Sequence, residues 1–302
     1  MCCLFGLIDY RRSLTASQKT QVIRILATVA EERGTDAAGI AYNDAGRLHI
    51  FKCPGPAHRA RFHVPDGASV VMGHTRMTTQ GSAQKNRNNH PFVGKAGQKP
   101  FALAHNGVLW NDDALRKRFC LPAPKVETDS YVAVQLIERQ DDLSFRSLRH
   151  MAEQLEGSFT ITVLNPDDDL FIVKGDNPLC LYRYPVLGIY LYASTEDILR
   201  RGLEYIQISG DRPERVTLRC GEILRIGRAG DMDGDTFDTS RLFADSPFGW
   251  SRYGGCGYRR SDIEELQMVA ASFGCAPQDI EEMLADGFTV EELENYLYCG
   301  EI

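Results

Sequence analysis

The residue best placed for chemistry is the cysteine at position 2. Removal of Met1, which the small Cys2 side chain favours, would leave Cys2 with a free α-amino group. Such an amine has a reference pKa of about 7.7–8, so at neutral pH part of it can accept the thiol proton. The thiolate can then attack an amide carbon, and the ammonium can protonate the departing ammonia. This pattern indicates thioester chemistry on amides, although a lone cysteine at this position is more often simply buried.

Cys3 is the competing thiol. It lacks the terminal amine, and in a strand its side chain would point to the face opposite that of Cys2. We therefore expect a structural role for Cys3.

Six motifs follow one another in order along the chain. They lie at residues 1–6 (MCCLFG), 32–40 (ERGTDAAGI), 73–81 (GHTRMTTQG), 89–92 (NHPF), 104–111 (AHNGVLWN) and 127–130 (ETDS). Together they resemble the class II, amino-terminal-nucleophile glutamine amidotransferases, which include the glutaminase domains of amidophosphoribosyltransferase and glucosamine-6-phosphate synthase. The resemblance covers about residues 2–226. Cys3 departs from the usual glycine, and Gln80 is a second departure.

The resemblance implies a role for each matching position. Cys2 would be the nucleophile and its amino group the general base, while the Asn106 side chain and the Gly107 N–H would form the oxyanion hole. Arg76 would hold the α-carboxylate of glutamine and Asp129 its α-ammonium. Thr79 and His105 would lie in the substrate pocket, with His105 in an orienting role. Arg33 and His74 would be supporting residues.

Three of these residues have plain structural alternatives. Asn106 and Gly107 form a dipeptide that is typical of hairpin turns. A lone arginine such as Arg76 usually makes a surface ion pair, and Asp129 could cap a helix. A positive and a negative anchor together suit a zwitterionic amino acid, which favours the binding roles.

Hydrophobic periodicity predicts the elements that would position these residues. Residues 3–8 are typical of a buried strand, and residues 18–32 of an amphipathic helix. Further strands are expected at 39–42, 48–51, 69–73, 102–105, 159–164, 170–174, 179–183 and 189–193, and helices at 112–119, 128–139 and 143–155. This is an α+β pattern of two helix-covered sheets. The resemblance implies the four-layer αββα sandwich of Ntn hydrolases, with a small C-terminal helical appendage.

Composition changes near residue 227. We expect an amidotransferase domain at 2–226 and a flexible connector rich in Gly, Asp, Ser and aromatic residues at 227–260. Residues 261–302 contain eleven acids and neither Lys nor Arg, with apolar residues at helical spacing. We expect three short amphipathic helices there, either as a solvated bundle or as a docking surface for a basic partner.

Bulk composition excludes several classes of protein. The chain has 302 residues, is 43% hydrophobic and carries a net charge of −7, so nothing attracts it to nucleic acid or anionic membranes. It lacks a membrane-spanning apolar run and a signal-peptide pattern. The nine cysteines are scattered without CxxC spacing, which argues against a disulfide framework or zinc site. We expect a cytoplasmic protein that needs no metal or other cofactor.

The leading hypothesis is a glutaminase-type enzyme acting on L-glutamine. Residues after 227 show neither a phosphate-binding loop nor a second α/β pattern, so ammonia would pass to a separate synthase subunit, through the acidic helices, or be released. One alternative is an amidase for another γ-glutamyl or acyl amide. The other is a non-catalytic regulatory module, which retention of Met1 would favour.

Overall fold

The computed structural model describes residues 2–206 and 210–242, together with 266–267, 270–271, 275–285 and 293. In these residues, six α-helices accompany thirteen strands. The strands are β1 (Cys3–Asp9), β2 (Ala37–Asp44), β3 (Arg47–Pro54), β4 (Val70–Arg76), β5 (Phe92–Ala96), β6 (Lys99–Leu109), β7 (Gly157–Leu164), β8 (Leu170–Lys174), β9 (Cys180–Tyr184), β10 (Ile189–Ala193), β11 (Glu214–Val216), β12 (Glu222–Ile226) and β13 (Met232–Thr236). The helices are α1 (Ala16–Val29), α2 (Asp112–Phe119), α3 (Tyr131–Gln140), α4 (Phe145–Gln154), α5 (Glu196–Tyr205) and α6 (Pro277–Ala285).

The strands form two antiparallel sheets. The first has the order β11-β9-β10-β1-β4-β2-β3, and the second has the order β13-β12-β8-β7-β6-β5. Strand β1 is therefore central in the first sheet, and β6 and β7 are adjacent in the second. These positions bring the amino-terminal residues and the Asn106–Gly107 dipeptide into the interior of the protein.

Three layers of apolar side chains hold the sheets and helices together. Helices α1 and α5 cover the first sheet through residues such as Leu26 and Leu199, and α3 and α4 cover the second through residues such as Leu136 and Leu148. A third cluster, which includes Ile172, fills the space between the sheets. This arrangement confirms the predicted αββα sandwich.

Strand β1 is apolar at every position except its last residue, Asp9. All seven residues are buried. Phe5 and Leu7 contribute to the core beneath α1, whereas Leu4 and Ile8 contribute to the core between the sheets. Because successive side chains of a strand point to opposite faces, a strand between two covered faces needs apolar residues at nearly every position.

The sandwich extends beyond residue 226, where the sequence predicted its end. Strand β13 pairs with β12, and Phe237 and Leu242 are buried in the core beneath α3 and α4. The expected connector therefore does not begin at 227, because residues up to 242 pack on the second sheet. Residues 243–260, the rest of that expected connector, lie outside the described residues.

The C-terminal segment is described in part. Helix α6 lies within the segment 261–302, where short amphipathic helices were predicted. Leu266, Ala270, Ile280 and Leu293 are buried in one small cluster, so apolar residues from separate parts of this segment meet. No helix in the described portion is both long and apolar enough to cross a membrane.

Candidate active site

Cys2 lies immediately before β1 and is partly buried. Cys3 pairs with Thr75 across the antiparallel β1–β4 pair, so the residue before Cys3 lies beside Arg76. The Cys2 thiol donates to the carbonyl oxygen of Met77 at 3.5 Å, and Arg33 Nε donates to the Cys2 carbonyl oxygen at 3.2 Å. Both contacts fix the nucleophile candidate where β4 ends.

Cys3 has the opposite environment. It is fully buried in the core beneath α1, and its thiol donates to the Leu4 carbonyl oxygen at 3.2 Å. Burial raises the pKa of this thiol, which disfavours the reactive thiolate. The structure supports the structural role expected for Cys3.

Arg76 is the last residue of β4 and is 3% exposed. Its Nη1 donates to Asn89 Oδ1 at 2.7 Å, and its Nη2 donates to the Gln80 carbonyl oxygen. Burial lowers the pKa of the guanidinium, while the charges of Cys2 and Asp129 act in the opposite direction. Arg76 is therefore a buried cation beside the thiol rather than half of a surface ion pair. Its five N–H groups leave donors for a carboxylate.

Asp129 is 3% exposed, just before α3. Its Oδ2 accepts a hydrogen bond from the Leu109 backbone N–H at 2.7 Å, and Ser130 Oγ lies 3.2 Å from its Oδ1. The carboxylate thus binds the backbone of β6 instead of capping the helix. This contact joins the two segments that carry Asp129 and the Asn106–Gly107 dipeptide.

His105 is 1% exposed and has both ring nitrogens occupied. Nε2 lies 3.3 Å from the Ser158 carbonyl oxygen and Nδ1 lies 2.8 Å from Ser130 Oγ. The Ser130 hydroxyl donates its single proton to Asp129 Oδ1 at 3.2 Å, so Ser130 lies between the His105 ring and the Asp129 carboxylate. Burial lowers the pKa of His105 and favours the neutral ring. These contacts suit the orienting role expected for His105.

Asn106 and Gly107 lie within β6, opposite Thr160 and Phe159 of β7, and not in a hairpin turn. Asn106 is fully buried, and its Nδ2 donates to Ser194 Oγ at 3.3 Å. Gly107 has φ 134°, and a Cβ there would lie 2.0 Å from the Ser158 carbonyl oxygen. Glycine is required at this position for both reasons.

A loop between α1 and β2 supports the end of β4. Arg33 ends a short 3-10 helix (Ala30–Arg33), and a Cβ on the following Gly34 would lie 2.5 Å from the Arg76 carbonyl carbon. Asp36 accepts from the Thr78 N–H at 2.8 Å, and the Asp36 N–H donates to the Arg76 carbonyl oxygen at 2.9 Å. The RGTD motif therefore braces the backbone next to the thiol, in agreement with a supporting role for Arg33.

His74 joins the two sheets. It is fully buried in β4, and its Nε2 donates to the carbonyl oxygen of His105 in β6 at 3.0 Å. Burial lowers the pKa of His74 to about 3, so the ring is neutral. This geometry suits the supporting role predicted for His74. Thr79, by contrast, is exposed in the loop after β4, and its contact with substrate stays a prediction.

The chain is similar to several known proteins. A family model described as a glutamine amidotransferase domain matches residues 74–201. The glutamine–fructose-6-phosphate aminotransferase (isomerizing) of Geobacillus kaustophilus is 33% identical over 187 residues, which cover 59% of this chain and 30% of that protein. The Halalkalibacterium halodurans protein of the same name is 34% identical over the same shares. Residues 74–201 therefore match a glutamine amidotransferase domain. The chain spans about 30% of the length of these relatives.

Solved structures show the same fold for the amidotransferase domain. The glutamine phosphoribosylpyrophosphate amidotransferase of B. subtilis has a TM-score of 0.63 at 20% identity, covering 80% of this chain and 50% of that one. A structure described as the allosteric regulatory enzyme of purine biosynthesis has a TM-score of 0.64 at 19% identity, covering 90% of this chain and 58% of that one. At these identities the likeness concerns the fold alone.

The amidotransferase domain also uses residues to which the sequence analysis gave no role. Asn89 holds Arg76, Ser130 lies between His105 and Asp129, and Ser194 binds Asn106. Asn89 and Ser130 lie inside recognised motifs, so their positions were available signals. Ser194 follows β10 and lies in a weaker similarity to the family at residues 193–196 (ASTE), but that similarity does not identify β6 as its partner.

Proposed function

We propose that this chain hydrolyses L-glutamine to glutamate and ammonia through a γ-glutamyl thioester on Cys2. The observation that carries the proposal is the pairing of the thiol with two buried anchors of opposite charge. Cys2 lies beside Arg76, and the charges of Cys2 and Asp129 both act on that guanidinium. A reactive thiol near one cation and one anion suits an amide whose far end is an α-amino acid.

The reaction needs two half-steps at the same thiol. Once Met1 is removed, the α-amine of Cys2 takes the proton from Sγ, and the thiolate adds to the side-chain amide carbon of glutamine. The C–N bond breaks, and the α-ammonium returns the proton to the departing ammonia. Water then attacks the thioester with the amine again as base, which releases glutamate and the free thiol.

The oxyanion formed in each half-step needs fixed donors. Asn106 Nδ2 and the Gly107 N–H are the donors assigned to it, and each donor of this kind lowers the barrier by about 3–4 kcal/mol. Both belong to a fully formed strand, so their direction is set before substrate binds. Donors that need no reorganisation stabilise the transition state more than the ground state.

Ammonia then passes to an acceptor on another protein or is released. We propose the acidic segment 261–302 as the contact for such a partner, because its eleven acids would attract a basic surface. We also propose a cytoplasmic location, where reducing conditions would keep Cys2 as a thiol.

The proposal is tested with protein whose intact mass establishes the loss of Met1. Glutamate and ammonia are measured after addition of L-glutamine. Cys2→Ala should abolish both products, whereas the matched control Cys3→Ala should retain them, because the Cys3 thiol lies in the core beneath α1 and has no terminal amine beside it. Protein that retains Met1 should also be inactive, since its Cys2 nitrogen is an amide and cannot act as base. Ammonia release by Cys2→Ala would overturn the proposal.

A further inference from the structure

Asn177 is a buried side chain that the proposed reaction does not use. It lies three residues after β8 and is 1% exposed. Its side-chain Nδ2 donates to the backbone carbonyl oxygen of Asn106 at 2.9 Å, and its backbone carbonyl oxygen accepts from Thr160 Oγ1 at 2.7 Å. Asn177 thus reaches past β7 to hold one backbone carbonyl of β6.

That carbonyl belongs to the same peptide unit as the Gly107 N–H. In a planar trans peptide the C=O and N–H bonds point in opposite directions, so a hydrogen bond that fixes the C=O also fixes the N–H. Donation to the carbonyl polarises the unit as well, which makes the N–H a stronger donor. The contact between Asn177 and Asn106 therefore acts on the group assigned to the oxyanion.

Gly107 makes this restraint important. Glycine is the residue whose backbone has the most freedom, and the φ of 134° at Gly107 is a value that other residues rarely adopt. A Cβ at Gly107 would lie 2.5 Å from Asn177 Nδ2, so the absence of a side chain is what admits the amide so close. Position 107 therefore has no side chain, and the Asn177 amide next to it donates the hydrogen bond that holds the Asn106–Gly107 peptide.

The segment that carries Asn177 is itself anchored. Asp176 Oδ1 accepts from the Phe159 N–H at 2.9 Å, on the β7 residue opposite Gly107. The buried Lys174 Nζ donates to the carbonyl oxygens of Gly175 at 2.9 Å and Asp176 at 3.3 Å. With its backbone held on both sides, Asn177 presents its amide at a fixed point rather than following the peptide.

We propose that Asn177 is a positioning residue for the oxyanion hole: it orients and polarises the Asn106–Gly107 peptide so that the Gly107 N–H is aimed at the developing oxyanion. The inference rests on the proposed glutamine hydrolysis for its catalytic consequence. Its structural half, the control of one peptide plane by one side chain, stands independently of that reaction.

The experiment uses Asn177→Leu, which keeps the volume and removes the donor, and Asn177→Ala as a second variant. The matched control is Asn43→Leu. Asn43 is 5% exposed, and its Nδ2 donates to the Asn165 carbonyl oxygen at 2.7 Å, the same kind of bond at another place. The sequence Asn-Gly occurs once in the chain, so protein labelled with ¹³C-carbonyl Asn and ¹⁵N-Gly gives one HNCO correlation, from Asn106–Gly107.

We expect both Asn177 variants to shift this correlation and the Asn43 variant to leave it unchanged. We also expect kcat for glutamine to fall about tenfold to a hundredfold with KM unchanged, because the donor acts on the transition state. An unshifted correlation in the Asn177 variants would overturn the inference, as would an unchanged kcat. If the parent protein does not hydrolyse glutamine, the proposed function fails, while the spectrum still decides whether Asn177 holds the peptide.

Discussion

Ser194 links Asn106, the proposed oxyanion donor, to the amino-terminal strand. Its Oγ accepts from the Leu4 N–H at 2.8 Å and from Asn106 Nδ2 at 3.3 Å. Leu4 belongs to the first sheet and Asn106 to the second, so one hydroxyl joins the strand after the nucleophile to the assigned oxyanion donor. Ser194→Ala removes this acceptor, while the bond from the Ser194 N–H to the Leu4 carbonyl oxygen at 2.9 Å remains.

The cost follows from burial of the two donors. Leu4 and Asn106 are both 0% exposed, so neither donor can turn to solvent when the hydroxyl is gone. A buried donor left without an acceptor costs about 1–3 kcal/mol. The 3.3 Å bond is longer than the usual range, which puts Asn106 at the low end. We expect Ser194→Ala to lower the free energy of unfolding by about 2–4 kcal/mol.

The same substitution should affect catalysis. The Asn106 amide loses a partner that fixes its rotation, and we expect kcat for glutamine to fall about tenfold with KM retained. Urea unfolding and steady-state ammonia release measure the two effects. Ser147→Ala is the matched control, since Ser147 is buried in the capping box of α4, and its loss should cost about 1 kcal/mol with kcat unchanged. A Ser194→Ala protein as stable as its parent, or less stable with normal kcat, would refute this reasoning.

Three further substitutions give separate expectations. Arg76→Lys replaces the planar guanidinium that is assigned to the substrate carboxylate. We expect glutamine binding to weaken by about 1.5–3 kcal/mol, which raises KM for glutamine about tenfold to a hundredfold. An unchanged KM would show that Arg76 does not bind the substrate. Gly107→Ala places a Cβ 2.0 Å from the Ser158 carbonyl oxygen at a φ of 134°, and should lower the free energy of unfolding by about 2–5 kcal/mol in urea titrations; a loss below about 1 kcal/mol would contradict the geometry. Neither ring nitrogen of His90 has a hydrogen-bond partner within the described portion of the chain, and burial lowers its pKa well below 6.5. In the unfolded chain the His90 ring binds a proton as the pH falls below about 6.5, whereas in the folded protein the ring stays neutral, so the free energy of unfolding decreases as the pH falls. His90→Phe should reduce the dependence of the free energy of unfolding on pH by up to about 1.4 kcal/mol per pH unit between pH 7 and 5. Parallel curves of stability against pH for the two proteins would show that His90 does not contribute.

Much of the sandwich could be predicted because its strands are buried on both faces. Runs such as β1 and β10 have nearly continuous apolar sequences, and that pattern follows directly from the two covered faces. The polar strand β13 (MDGDT) could not be found in this way. It lies at the edge of the second sheet with four of its five residues exposed, so its pairing with β12 leaves no hydrophobic period. For this reason the sequence did not mark β13 as part of the second sheet.

The residues of the candidate site also differ in how far the sequence identifies them. Cys2, Arg76, Asn106 and Asp129 lie in motifs, and their residue types already suggest thiol, carboxylate, oxyanion and ammonium chemistry. Their partners depend on which strands become neighbours. Ser194 is 88 residues from Asn106, and Asn177 is 71 residues from it. A buried serine or asparagine has no local pattern that names a partner at such distances, so these contacts needed the fold.

The contacts between sheets explain why polar residues matter so much at this site. The two sheets meet through an apolar layer, which stabilises their association but has little preference for one sideways position over another. Hydrogen bonds are directional and can fix that position. His74 of the first sheet donates to the His105 carbonyl of the second, and Ser194 binds the adjacent Asn106. Cys2 directly precedes a strand of the first sheet and the assigned oxyanion donors lie in the second, so we expect these two bonds to help set the distance between them. The apolar core between the sheets holds the sandwich together. We expect the two inter-sheet hydrogen bonds of His74 and Ser194 to position Asn106 and Gly107 so that a substrate carbonyl attacked by the Cys2 thiol can also accept hydrogen bonds from them.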